Sequence, residues 1–167
     1  MTHTPFEILT ILGAKYLIIL AICIAGVWFF KQSRIKQKEI VVFGIITGIV
    51  SLVIARFIAY FYFDPRPFTV NHVVPLIPHE SDNGFPSDHV LLASVITIVI
   101  VFFNKKLGLV LAMLTLIIGI SRVISGIHNF LDIFGSMIIV GLAVGTAYTL
   151  ILPRIKKLNI YNKYFIK

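Results

Sequence analysis

Five runs of apolar residues, each close to the length that crosses a bilayer, dominate this chain and restrict what it can fold into. They cover approximately residues 8–30, 40–63, 90–103, 107–124 and 130–152. A spanning helix needs about 20 mostly apolar residues, because the hydrocarbon core is about 30 Å thick and a helix rises about 1.5 Å per residue. The third run is short and reaches that length only by starting near Phe85. Only 13% of residues are charged and the mean hydropathy is +0.97. A soluble domain carries about a quarter charged residues, and disorder requires low hydrophobicity, so both are excluded. The expected fold is an all-α integral membrane protein, a bundle of about five transmembrane helices forming one membrane-embedded domain over residues 1–167. The single cysteine, Cys23, excludes an internal disulfide framework and a cysteine-based zinc site. The N-terminus Met-Thr-His-Thr-Pro-Phe-Glu lacks a basic region and is not expected to be a cleaved leader.

Five spans put the termini on opposite sides and divide the connecting segments into two sets. One set holds Lys31, Arg34, Lys36, Lys38, Lys105 and Lys106 and the tail residues Arg154, Lys156, Lys157, Lys163 and Lys167, which together are 11 of the 15 Lys and Arg. By the positive-inside rule this face is cytoplasmic, so the N-terminus is expected outside and the C-terminus inside. The opposite face receives all five histidines and every acidic residue except Glu39. The net charge of +8 is thereby a topology signal, and no nucleic acid partner is expected, since the basic residues flank spans.

Four basic residues escape this rule: Lys15, Arg56, Arg66 and Arg122. Ionisable groups at membrane depth are costly and usually face the bundle interior or a functional cavity. Lys15 reads either as a snorkelling side chain or as a functional cation, and Arg56 either as half of a buried ion pair or as part of a site. Arg66 and Arg122 fall at the outer ends of the second and fourth spans. Two arginines there look like an anion site, because guanidinium forks match phosphate oxygens.

Three polar segments sit at the same outer helix ends. They are Asp64-Pro65-Arg66-Pro67-Phe68, then Gly84-Phe85-Pro86-Ser87-Asp88-His89, then Ser121-Arg122 followed by His128 and Asp132. Pro86 suits the first position of a helix, which would set Ser87, Asp88 and His89 in a first turn whose free N–H groups attract anions; a plain Ser or Asp cap is the other reading. His128 and Asp132, four residues apart, share a helix face. The carboxylate can accept one imidazole N–H and so activate the ring, or the pair can cap a helix. Gly126 suggests a tight turn that brings Arg122 to His128. A metal site is the remaining reading of clustered His and Asp, but two arginines repel a cation. Taken together the residues suit phosphoryl transfer: neutral His128 attacks phosphorus, protonated His89 serves the leaving oxygen, and the cations stabilise developing charge.

These motifs resemble those of the type 2 phosphatidic acid phosphatase superfamily of membrane lipid phosphatases. The third signature, Ser-Arg, five residues, His, three residues, Asp, is complete as Ser121, Arg122, His128 and Asp132. The second, Pro-Ser-Gly-His, occurs as Pro86, Ser87, Asp88 and His89, with Asp replacing Gly. The first, Lys, six residues, Arg-Pro, keeps Arg66-Pro67 but has Ala59 at the lysine position. The resemblance implies a nucleophilic His128 oriented by Asp132, His89 as general acid, phosphate contacts from Arg66, Ser87 and Arg122, and no metal or cofactor. It also implies that Asp88 points away or is paired, and that Arg56 or Lys15 stands in for the lysine. The Phe-Pro-Ser-Asp-His wording and the small size look most like the bacitracin-resistance type of undecaprenyl-diphosphate phosphatase, which implies a polyprenyl diphosphate lipid as substrate and a membrane location with the site facing outward. The other functions compatible with the residues are a phosphatase of phosphatidylglycerophosphate, phosphatidate or lipid A, an anion transporter, and a non-catalytic lipid-phosphate binder. His72, His79, Glu80 and Asp82, in the polar stretch 64–87, are expected to lie in a solvated loop.

Overall fold

A computed structural model describes residues 3–151. The helices are α1 (Pro5–Phe30), α2 (Arg34–Phe61), the single turn α3 (Pro67–Val70), α4 (Asp88–Phe103), α5 (Lys105–Ile124) and α6 (Phe130–Thr146). A π-helical turn, Ala147–Ile151, continues α6. Four of these segments, α1, α2, α5 and α6 extended to Leu150, are long and apolar enough to cross a membrane. The basic tail Arg154, Lys156, Lys157, Lys163 and Lys167 and the end of the fifth apolar run lie outside the described residues.

Helix α4 differs from its expected span. It has 16 residues and begins at Asp88 with Ser87 as N-cap, so Phe85 and Pro86 lie before it rather than within it. It is about 24 Å long at 1.5 Å per residue, short of a bilayer core. It is also the inner helix, packed against α1, α2, α5 and α6. Val90, Leu91, Ala93, Ser94, Val99 and Ile100 are buried. The other long helices surround it and turn apolar side chains outward: Leu9, Val27, Val53, Phe57, Leu109 and Ile138 are each more than half exposed. Such a coat is unusual on a soluble protein and matches a lipid surround.

Close approach of the helices depends on small residues, as in membrane bundles. A Cβ on Gly135 would collide with the ring of Phe85, which is buried under the α2–α4–α6 cluster of Phe43, Leu91, Ile139 and Val140. Gly13 likewise lets Ser121 of α5 lie directly on the α1 backbone. Thr97 and Thr115 pair across α4 and α5 at 2.9 Å, so neither hydroxyl is left bare.

Alternating helix direction gathers the C-termini of α2 and α5 and the N-termini of α1, α4 and α6 at one end. The segment between α2 and α4 folds over that end. Pro65 and Asn83 form an isolated antiparallel bridge, Gly84 N donates to the Asp64 carbonyl at 2.8 Å, and Leu76 N donates to the Ser125 carbonyl at 3.1 Å. Ile77 and Phe68 pack with Ala14 and Ile127. The stretch read from sequence as a solvated loop is therefore a fitted cover with two apolar residues seated in the bundle.

Candidate active site

The three polar segments converge on His128. The α5–α6 connection turns at Gly126, whose φ of +78° lies where a side chain is disfavoured, and this returns His128 toward Arg122. The ring is 2% exposed. Its Nδ1 lies 3.1 Å from Asp132 Oδ2, and the same oxygen accepts the Asn129 backbone N–H at 2.8 Å. Nε2 faces two guanidinium groups, Arg122 Nη2 at 3.2 Å and Arg66 Nη1 at 3.5 Å. Arginine only donates, so the geometry fits one neutral tautomer: Nδ1 donates to Asp132 and Nε2 presents its lone pair to the arginines. Burial pushes the His128 pKa down, Asp132 opposes the shift, and Arg122 and Arg66 add to it.

Each arginine is held by backbone carbonyls. Arg66, 5% exposed, donates from Nη1 to the Ile127 carbonyl at 2.8 Å and from Nε to Asp82 Oδ1 at 2.6 Å. Arg122, 4% exposed, donates from Nη1 to the Ala14 carbonyl of α1 at 3.1 Å. Its Nε has no partner, and neither does the fully buried hydroxyl of Ser87 at the start of α4. Buried polar groups are normally paired. The unpaired Arg122 Nε belongs to the guanidinium that faces Nε2 of His128. Ser87 is tied to the same cluster through its N–H, 3.5 Å from the Asp132 carbonyl. Ser136 Oγ donates to the Asp132 carbonyl at 2.7 Å and lies 3.1 Å from that of Ser87.

His89, in the first turn of α4, is half-buried and within electrostatic reach of Arg122 and His128. Asp88 is exposed, and its carboxylate makes no hydrogen bond or ion pair among the described residues, although its charge acts on His89 and Arg122. Arg56 is corrected outright: it is exposed on the outer side of α2, beside an apolar groove of about 640 Å³ lined by Leu52, Val53, Phe57 and Tyr60. Lys15 is also exposed. Neither replaces the family lysine. At that position the Ala59 carbonyl instead accepts from the Asn83 side-chain amide at 3.3 Å.

The sequence reading missed the covering segment. Asn83 is its hub: Oδ1 accepts the N–H of Asp64 and of Phe85, while Nδ2 also reaches the Tyr62 carbonyl. Asp64 accepts from Asn129 Nδ2 at 3.1 Å; burial, with Asp132 close by, raises its carboxyl pKa. Asp82 pairs with Arg66, and the His79 ring sits edge-on to His128 with centroids 6.3 Å apart. The only local hint was the clustering of ionisable residues in a Pro-rich stretch. Among the described residues no group of three or more His, Cys, Asp or Glu is arranged to hold a metal ion.

A helical membrane-type bundle with paired arginines around an aspartate-held histidine defines a class. The chain belongs to the PAP2 superfamily, which it matches over residues 39–157. It is 40% identical over 119 residues to the undecaprenyl-diphosphatase BcrC of Bacillus subtilis (strain 168), covering 71% of this chain and 61% of that protein. It is 34% identical over 122 residues to the bacitracin transport permease protein BcrC of Bacillus licheniformis, covering 72% and 59%. The putative undecaprenyl-diphosphatase YbjG of Escherichia coli (strain K12) is 29% identical over 132 residues, 78% of this chain and 66% of that protein. The chain thus aligns with about three-fifths of the length of the first two relatives. No solved structure gives a significant match.

Proposed function

We propose that this protein is a membrane lipid phosphatase that removes the terminal phosphate of a lipid diphosphate, undecaprenyl diphosphate being the best-supported substrate. The observation that carries the reading is His128, with Nδ1 on Asp132 and Nε2 facing two buried arginines. Membership of the PAP2 superfamily and the names of the relatives support the substrate class. Nε2 attacks the terminal phosphorus, forming an N–P bond as the bridging P–O bond breaks. His89 gives its proton to the departing lipid phosphate oxygen. It then takes a proton from water, whose oxygen attacks the phosphohistidine and releases inorganic phosphate. Arg66, Arg122 and the Ser87 hydroxyl hold the phosphate oxygens and stabilise the added charge. The placement of basic residues supports an outward-facing site and an outer N-terminus.

The test is phosphate release from undecaprenyl diphosphate by purified protein in detergent with EDTA present. Release establishes a lipid diphosphatase that needs no added metal. Faster turnover of phosphatidate or phosphatidylglycerophosphate transfers the assignment to those lipids. Binding without turnover of any lipid phosphate contradicts it.

Two further results are expected. Ser87→Ala lowers kcat/KM by about 10- to 100-fold, the usual worth of a hydrogen bond to a charged group. It leaves the thermal midpoint nearly unchanged, because the Ser87 hydroxyl makes no capping bond to α4. A large drop in midpoint would assign Ser87 a structural role instead. Second, kcat/KM falls on the acid side of its pH profile. The nucleophile must be neutral, so activity falls as pH drops through the His128 pKa. Because burial lowers that pKa, the acid limb attributable to His128 lies below about 6.5, the ordinary histidine value. Imidazole NMR finding His128 protonated at pH 7 contradicts this.

A further inference from the structure

The phosphate site contains an anion of its own. Arg66 is almost wholly buried, yet its shortest hydrogen bond, 2.6 Å from Nε, runs to a carboxylate whose side chain is 57% exposed. Asp82 therefore reaches in from solvent to a guanidinium that also faces the nucleophilic nitrogen of His128. Its other ionisable neighbour is His79, with Nδ1 4.0 Å from the same oxygen.

The backbone around Asp82 is fixed at both ends and free between them. Ile77 is buried, and Asn83 is held by four hydrogen bonds of its side chain. Residues 78–82 make no backbone-to-backbone hydrogen bond. What fastens this span to the site is the Asp82–Arg66 pair together with the His79 ring against His128. Both contacts lie where a phosphate bound to Arg66 and attacked by Nε2 has to be.

We infer that Asp82 is a built-in competitor for the phosphate site: its carboxylate takes the place of a phosphate oxygen on Arg66 and is displaced when substrate seats. The inference rests on the phosphatase reading and adds a basis for selectivity. With Asp82 in place, the charge of Arg66 is already matched by a carboxylate. An incoming group must outbid a carboxylate. A terminal phosphate, with a charge of about −1.5 to −2, can do so; the phosphodiester of a bulk phospholipid, with a single negative charge, does so poorly. The device screens the site against the lipid that surrounds it.

The test is Asp82→Asn in the full-length protein in detergent, with orthovanadate as the probe. Anion binding is expected to tighten about three- to tenfold, the range between an exposed ion pair and a charge-assisted hydrogen bond. KM for the lipid diphosphate falls by a similar factor, and kcat moves far less. Phosphatidylglycerol, a phosphodiester that barely inhibits the parent protein, becomes a measurable competitor. Asp82→Glu restores the parent behaviour. Should Asp82→Asn not fold, Asp82→Ser serves the same comparison. Unchanged or weakened vanadate binding overturns the inference and makes Asp82 a positioning residue for Arg66. Vanadate binding by calorimetry needs no turnover. If Asp82→Asn tightens it while no lipid diphosphate is hydrolysed, the competitor stands and the phosphatase reading fails. If the parent turns over lipid diphosphate and the variant does not tighten, the reverse holds.

Discussion

His128→Ala is expected to abolish phosphate release, with kcat reduced by about 10⁵-fold or more, the scale set by removing a nucleophile from a pre-assembled site. The ring's two nitrogens have different surroundings. Nδ1 is committed to Asp132, and Nε2 lies between Arg122 and Arg66 at 3.2 and 3.5 Å. No other nitrogen in the cluster combines a free lone pair with two cations and an orienting carboxylate. His79 is adjacent, with ring centroids 6.3 Å apart, but its charged partner is Asp82 on the exposed cover. The companion variant His89→Ala separates the two steps. If His128 is the nucleophile and His89 activates water, phosphate added from labelled substrate accumulates on the protein as an acid-labile, base-stable adduct at His128. Mass spectrometry of the trapped protein locates it. Turnover by His128→Ala at a tenth of the parent rate sinks the assignment.

Asp132→Asn is expected to cost about 10⁴-fold in kcat while leaving the fold intact. Asp132 is fully buried and nearly isosteric with asparagine. Its Oδ2 accepts two hydrogen bonds, from His128 Nδ1 at 3.1 Å and from the Asn129 N–H at 2.8 Å. An asparagine oxygen at the Oδ2 position still accepts both N–H groups, so Nε2 keeps its lone pair. What is lost is the carboxylate charge that stabilises the ring as it becomes cationic on attack. Removing the carboxylate of a histidine–aspartate pair has about this magnitude in other sites. Nitrogen-15 NMR of the imidazole is expected to find Nε2 still unprotonated. Near-parent activity in that state would falsify a catalytic role for the Asp132 charge.

Much of this site is legible in the sequence because its residues obey short-range rules. His128 and Asp132 are four residues apart, Gly126 marks the turn between α5 and α6, and the apolar runs place three polar segments at one end of the bundle; the expected shared helix face is corrected, because His128 precedes the N-cap Asn129 and Asp132 reaches back to it from the first turn of α6. The misreading of Arg56 was avoidable by the same rules. The inward face of α2 is Gln37, Ile40, Phe43, Thr47, Ser51 and Ala55, and Arg56, one residue beyond Ala55, lies about 100° around the helix from it. Lys15, one residue beyond the buried Ala14, lies off the inner face of α1 for the same reason. Pro86 suits a first helical position, yet α4 begins two residues later with Ser87 as its cap, the other of the two readings. The pairs Ala14–Arg122, Arg66–Asp82 and Ala59–Asn83 carry no periodic signal. They arise only when separate segments meet.

One of those pairs bears on how the protein can be taken apart. The family match begins at residue 39, yet the Ala14 carbonyl that holds Arg122 belongs to α1, and Gly13 supplies the flat surface on which α5 rests. The proposed catalytic site is therefore not a portable cassette. A chimaera carrying residues 39–151 behind a foreign leading helix keeps every residue proposed for the chemistry. It loses the clamp that aims one of them, unless the donor helix also offers a small residue followed by a carbonyl at that level.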